Sequence, residues 1–388
     1  MKGYVNFMCT KADSSVSVSR QHRSSNIELL RIISMLAIIA HHYVVNSGIQ
    51  EHFTYGSFPG ASMLFLQLWG MWGKTAINVF VLISGYFMCT SALTWKRFLK
   101  VYLEVKFYLL LGYFCFVLSG YTAFHGKQFL RTLFSTFTNV NSGFTSSFLW
   151  FYLFIPFYNA VIDKLGKEGL QKLIVLLLLL FSVTSTVFFN ETVFHYVGWY
   201  MTLYFISSYI RLYPMHWSES KRVCSIGFAL CVFSAFVSIL FGDCIGTKYG
   251  LRAYHFLIDS NKILALLVAL FAFCLFKNCT IPYNKAINLV ASTTFGIFLI
   301  HANSDAMRSF LWKDLFKVPE MYSAGLLRLA IHAAGSTVVI FLIASCIDLI
   351  RIHLIEKPTF RMLTHYSAQI ELLLQKSKLT IKKTFEKL

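Results

Sequence analysis

Ten apolar runs of about 17 to 25 residues, joined by short polar connections, constrain this chain more than any other feature. A hydrocarbon layer about 30 Å thick is crossed by about 20 helical residues. Backbone groups in lipid must satisfy one another, so such runs predict transmembrane helices rather than extended segments. They fall at roughly 27–47, 75–92, 100–121, 147–163, 172–189, 194–213, 223–242, 257–276, 286–311 and 324–350. The expectation is an all-α polytopic membrane protein with about ten transmembrane helices. Its charge content agrees: 13% of the 388 residues are charged, where soluble domains carry about a quarter.

The cations set an orientation. With the N-terminus inside, 23 Lys and Arg fall on the cytosolic segments and seven on the outer connections, which places both termini in the cytosol. The same bias accounts for the net charge of +18, so no nucleic-acid partner is expected. Nine cysteines include no CxxC pair, which indicates neither a disulfide framework nor a zinc site. Residues 1–23 are polar, Ser-rich and basic without an apolar core, and read as a cytosolic tail rather than a signal peptide. Residues 24–363 form one ten-helix domain. Residues 364–388 form a basic tail that places Ile370, Leu373, Leu374, Ile381, Phe385 and Leu388 near one helical stripe, suited to the anionic inner leaflet. Of the outer connections, 119–146 is the longest and is placed to cover an external opening, and 48–73 has the aromatic content of an interfacial segment.

No GxSxG, HExxH, Walker or dinucleotide-binding pattern occurs, which removes the common soluble hydrolase, protease, ATPase and dehydrogenase readings. Polar residues inside the spans remain. Arg31 and His42 are eleven residues apart, on one helical face and about 16 Å apart along the axis, so His42 lies near mid-depth. An ionisable group there marks either a functional site or a histidine bonded to a neighbouring helix. Ser84-Gly85-Tyr86 gives the second span a glycine that lets a helix or a ligand come close. His301, Asp305 and Arg308 fall at i, i+4 and i+7, and Arg328 and His332 at i and i+4 of the next span. Together the five predict an externally accessible polar pocket, the alternative being an ion pair that ties two helices. Lys96, Arg97 and Lys100 cluster at a cytosolic connection, where they hold phosphates or simply fix topology.

Several of these pieces, in this order, resemble the acyltransferase type 3 family of integral-membrane O-acyltransferases. They are Asn26-Ile27-Glu28-Leu29-Leu30-Arg31 with His42, Asn78-Val79-Phe80-Val81-Leu82-Ile83-Ser84-Gly85-Tyr86, and Lys96-Arg97-Phe98-Leu99-Lys100. Leu149-Trp150-Phe151 with Pro156, Phe295-Gly296-Ile297-Phe298-Leu299-Ile300-His301 and Ile355-Glu356-Lys357-Pro358 follow, so that the likeness covers nearly the whole chain. The family's arginine, ten residues and histidine match Arg31 and His42. Its R-x-x-R matches Arg97, with Lys100 in the second position, which keeps the charge and loses the bidentate fork.

The resemblance implies transfer of an acyl group, usually acetyl, from cytosolic acyl-coenzyme A to a hydroxyl of an extracytoplasmic or lipid-linked polysaccharide. It implies that Lys96, Arg97 and Lys100 bind the donor phosphates with Arg31 at the same interface. His42 then acts as a general base or carries the acyl group itself. His301 and the outer pocket receive the sugar, with Ser84, Tyr86, Trp150 and Glu356 as further substrate contacts or their supports. Acetyl-CoA enters as a donor substrate, and neither a metal nor a permanently bound cofactor is expected. The site of action is the inner or plasma membrane of the cell, and the sequence carries no signal for oligomeric state. The alternative is a multi-pass transporter or flippase lined by the same polar groups, against which the chain shows no duplicated half. A structural scaffold is a third reading.

Overall fold

The computed structural model describes residues 24–137, 144–188, 195–249, 253–302 and 304–366, and every regular element among them is helical. The expected N-terminal tail, nearly all of the expected C-terminal amphipathic tail and the Asn190-Glu191-Thr192 connection lie outside the described residues.

The helices are α1 (Ser25–Val45), α2 (Ala61–Gly70), α3 (Gly73–Met88), α4 (Trp95–Leu118), α5 (Gly126–Phe134), α6 (Phe144–Leu178) and α7 (Tyr196–Leu212). They are followed by α8 (Lys221–Cys244), α9 (Ile263–Lys277), α10 (Lys285–Ala291), α11 (Thr294–Ala302), α12 (Asp305–Ser309) and α13 (Leu326–Arg351). Six stretches are long and apolar enough to cross a membrane: Ser25–Val45, Trp95–Leu118, Phe144–Val187, Lys221–Cys244, Lys285–Ala302 and Leu326–Tyr366. Large apolar side chains such as Leu230, Phe233, Leu342 and Ile343 stand exposed midway along these helices, as a lipid-facing surface requires.

Phe144–Val187 is not one straight rod. Phe144 packs on Tyr200 with ring centroids 6.0 Å apart, and Phe181, 37 residues further on, sits against Gly198 of the same α7 turn. A continuous helix would separate the two by about 55 Å. The chain reverses at Gly166, whose φ of 63° and ψ of −166° break the helix at the point where the charge run Lys164–Lys172 predicts a connection.

Hydrogen bonds fix which ends lie together. Asn26 Nδ2 donates to the carbonyls of Phe276 and Cys279, and Ser25 Oγ accepts from Asn284 N. Tyr43 meets His332 near the start of α13, and Tyr108 meets Asp348 near its end. The starts of α1 and α4 and the end of α13 therefore share one end of the bundle, called here the Ser25 end. The other, the Val45 end, gathers the ends of α1 and α4, the start of α3 and the start of α13.

Two apolar clusters build the core. One is formed mainly by α3, α6, α7 and α9 and the other by α1, α2, α4, α11 and α13. Close helix contact depends on particular glycines: a Cβ at Gly85 would lie 2.2 Å from Ser207 Oγ and 3.0 Å from the Tyr204 backbone, so Gly85 is what lets α3 and α7 touch.

Three sequence expectations need correction. The ninth span, read as continuous from 286 to 311, is broken: α11 ends at Ala302, Ser304 is extended, and α12 begins at Asp305 with Ser304 Oγ accepting from Met307 N. His301, Asp305 and Arg308 therefore do not share one helical face. The tenth span does not stop near 350 but runs on to Tyr366 through a π turn at Ile352–Glu356, which loosens the backbone just ahead of Pro358, a residue with no N–H to give. The third concerns the long connection after α4. Along 125–137 the partners on α4 recede: Tyr113 O–H reaches the His125 carbonyl, Phe114 packs on Phe129, Lys106 reaches Thr132 and Leu133, and Tyr102 and Phe98 stack on Phe137. The segment turns back and descends beside α4 over about 15 residues of its length, roughly 22 Å, instead of lying across the Val45 end.

Candidate active site

His42 is held in one orientation and one tautomer by a chain of three groups. His301 Nδ1 lies 2.6 Å from the carbonyl of Ile297, its own helix's i−4 residue, and a carbonyl only accepts, so Nδ1 carries the proton. His301 Nε2 is then the acceptor for His42 Nδ1, 3.0 Å away. That leaves the proton of His42 on Nδ1 and a lone pair on its Nε2. His301 is fully buried, so the arrangement is shielded from competition by water. A histidine whose second nitrogen is oriented by a fixed partner is how a general base is prepared.

His41, about 100° around the helix, is tied differently. Its Nδ1 is 2.6 Å from the Gly70 carbonyl, and its ring fills the space that a Cβ on Gly73 would take, 2.3 Å from Cγ. The α2–α3 corner thus packs on His41, and His42 is left to face the cavity.

That cavity has a volume of about 580 Å³ and lies between the two core clusters toward the Val45 end. His41, His42, Lys74, Thr136, Tyr196 and Arg308 supply much of its polar wall, with Ile77, Leu109 and Phe298 among its apolar residues. Lys74 Nζ donates to Tyr196 Oη at 3.0 Å and pairs with Asp259 at 3.3 Å. Arg308 folds back over the α11–α12 break, its Nε donating to the Ala302 carbonyl at 2.9 Å and its Nη1 to Asp305 at 3.0 Å. Two cations therefore line the space that His42 faces, an arrangement suited to charge developing on oxygen.

A second, open groove of about 730 Å³ lies at the Ser25 end, where the start of α4 meets the extension of α13. Lys96, Arg97, Lys100, Lys357 and Arg361 line it together with Glu356. Lys96 Nζ donates to Thr364 Oγ1 at 2.7 Å, Arg97 Nη1 to the Ala92 carbonyl at 3.1 Å, and Lys100 pairs with Glu356 at 2.6 Å. Behind it, Arg351 gathers three carboxylates: Asp348 at 2.7 Å, Glu104 at 2.9 Å and Glu356 at 2.9 Å, while Tyr108 O–H donates to Asp348 at 2.6 Å. Each of these carboxylates has a direct partner, as buried charge requires.

The residues singled out in sequence are thus distributed over both ends. Asp305 and Arg308 line the cavity; His301 sits behind His42 as its hydrogen-bond partner; His332 bonds the Tyr43 hydroxyl at 3.0 Å; and Arg328 is exposed on α13 outside the cavity. Arg31 approaches Glu28 at 3.8 Å and lines neither space. Ser84 Oγ donates to Phe80 O within its own helix, Tyr86 stacks under Arg211 with 4.8 Å from guanidinium to ring centre, and Trp150 Nε1 donates to Phe137 O at 3.0 Å. Glu356 belongs to the basic groove. Lys74, Thr136 and Tyr196 in the cavity, and Glu104, Asp348 and Arg351 behind the groove, were not singled out. The one signal for the latter was charge within otherwise apolar spans.

Fold and site together define a multi-helical membrane protein with a buried, oriented histidine in a polar cavity and a separate basic groove. The model of the acyltransferase type 3 family, described as an acyltransferase domain, matches residues 24–347, and the chain belongs to that family. It is a membrane acyltransferase. No curated protein and no solved structure matches it at the significance required.

Proposed function

We propose that the protein is an O-acetyltransferase that moves an acetyl group from acetyl-CoA on the cytosolic side to a hydroxyl of an extracytoplasmic or lipid-linked polysaccharide, in the inner or plasma membrane. In this reading the chain crosses the bilayer ten times. The shorter α3, α7 and α9, of 16, 17 and 15 residues, each make a crossing, and the fold at Gly166 makes two of Phe144–Val187. The cation bias supports a cytosolic Ser25 end, with both termini on that side.

The basic groove takes the nucleotide phosphates of the donor through Lys96, Arg97 and Lys100, with Lys357 and Arg361 adding charge. The pantetheine arm runs along α4 toward Leu109, nine residues and about 14 Å beyond Lys100. The acceptor enters the cavity from the Val45 end. His42 Nε2 takes the proton of its hydroxyl as the oxygen bonds to the thioester carbonyl. When the tetrahedral intermediate collapses, the carbon–sulfur bond breaks and the thiolate leaves with the proton from His42. Lys74 and Arg308 face the charge that develops.

The observation that carries this reading is the chain His42–His301–Ile297 in the wall of the cavity. Purified protein in nanodiscs, given labelled acetyl-CoA and the cell's own surface glycan, tests it. Transfer that is lost in His42→Ala, with extraction and folding unchanged, supports the assignment; His42→Ala turning over at the wild-type rate contradicts it. Two spaces at opposite ends also resemble an occluded transporter, and counterflow of a glycan without acyl transfer would favour that reading instead.

A further inference from the structure

The groove and the cavity share no lining residue, and the last described residues of the segment that descends beside α4, Thr136 and Phe137, touch the surroundings of both. Thr136 lines the cavity, whereas its neighbour Phe137 stacks on Tyr102 at 5.9 Å, on Phe98 at 6.5 Å and edge-on against Trp150 at 5.4 Å. Phe98 follows Arg97 of the groove directly in the chain and is buried. Phe137 thus links the wall of the His42 cavity to the rings beside the groove's cations. Its backbone is tied down as well: Trp150 Nε1 donates to the Phe137 carbonyl at 3.0 Å, and Lys106, a buried amine on α4, donates to the carbonyls of Thr132 and Leu133 at 3.2 and 2.5 Å. These carbonyls lie at the C-terminal turn of α5, where a cation suits the helix dipole. Thr136 Oγ1 is buried and has no hydrogen-bond partner among the described residues, although it lies at the cavity wall.

We propose that Phe137 is an aromatic partition on the donor route, which the pantetheine arm displaces to bring its thioester to His42, and that the Thr136 hydroxyl hydrogen-bonds an amide or the thioester carbonyl of the arriving arm. The partition couples donor arrival to the acceptor. With it in place, the thioester reaches the water-accessible cavity only on productive binding. Without it, His42 activates water in place of the acceptor hydroxyl: the water oxygen bonds to the acyl carbon, the carbon–sulfur bond breaks, and free acid and thiol leave. The proposal rests on the acyl-transfer reading above.

The test is thiol release from acetyl-CoA, with and without glycan acceptor, by full-length wild type, Phe137→Ala, Phe137→Trp, Lys106→Met and Thr136→Val in nanodiscs. Loss of three ring contacts is expected to raise the acceptor-independent share of turnover in Phe137→Ala by about tenfold or more. Lys106→Met, which leaves the aromatic cluster intact but frees its tether, shifts in the same direction, and Phe137→Trp keeps the wild-type share. Thr136→Val, which loses one neutral hydrogen bond, raises the KM for acetyl-CoA about two- to tenfold without raising hydrolysis. An unchanged acceptor-independent share in both Phe137→Ala and Lys106→Met, with wild-type transfer intact, overturns the partition. A wild type that turns over no acyl-CoA refutes acyl transfer itself, and that result is distinct because it appears before any variant is compared.

Discussion

Substituting His301 separates the two roles that this residue can have. In sequence it belongs with the sugar-binding pocket; in the structure it holds His42 Nδ1 at 3.0 Å. Removing the imidazole as His301→Ala leaves a buried N–H unpaired, which costs about 1–3 kcal/mol. It also frees His42 to turn or change tautomer. If that cost falls on the competent orientation, kcat drops by roughly 5- to 150-fold at 1.4 kcal/mol per tenfold. The loss should be smaller than that for His42→Ala, which removes the proposed base and with it about 10²- to 10⁴-fold. His301→Gln, whose amide oxygen can accept from Nδ1, should recover part of the rate. The assay is steady-state acetyl transfer in nanodiscs with donor and acceptor varied separately, alongside thermal unfolding to confirm folding. A His301→Ala enzyme within twofold of the wild-type kcat, or one changed only in acceptor KM, would refute the orienting role.

Changing both Arg97 and Lys100 to Gln removes two of the groove's cations and should raise the KM for acetyl-CoA several-fold while leaving kcat and acceptor KM in place, a difference that steady-state kinetics resolves. Gly296→Ala places a Cβ 2.2 Å from the Asp348 carboxylate and should destabilise the protein by about 1–3 kcal/mol. Gly335→Ala, with nothing within 4 Å of the added carbon, should leave the melting temperature nearly unchanged.

Much of the fold was legible because lipid leaves the backbone few options. The first span was read from 27 to 47 and forms Ser25–Val45; the break at Gly166 falls within the predicted connection between the fourth and fifth spans. Helical spacing put His42 near mid-depth of the first span, whereas it stands in the last turn of α1, three residues before Val45. Where the reading departed, the cause was tertiary. The descending segment 125–137 is short, mixed in polarity and without an apolar run, and becomes intelligible only once Lys106 and the rings of Phe98, Tyr102 and Trp150 are beside it. The break at Ser304 is invisible to hydropathy, since Ser is tolerated within a helix and becomes a cap only when the chain turns. The partners of Arg351 lie 247 residues away on α4 as well as nearby in sequence, and spacing along one chain segment does not reveal such a pair. The same holds for His301, whose bond to His42 spans 259 residues.

If the donor arrives at the basic groove and the acceptor at the opposite end of the bundle, the two substrates must be supplied from opposite faces of the membrane. Reconstituting the protein in one orientation in sealed proteoliposomes, and supplying acetyl-CoA on one side and glycan on the other, measures this directly. Acetylation should occur only when acetyl-CoA is on the face that carries Lys96, Arg97 and Lys100 and the glycan is on the face of Lys74 and Arg308. Equal acetylation with the two substrates exchanged, or transfer only when both share the basic face, would contradict it.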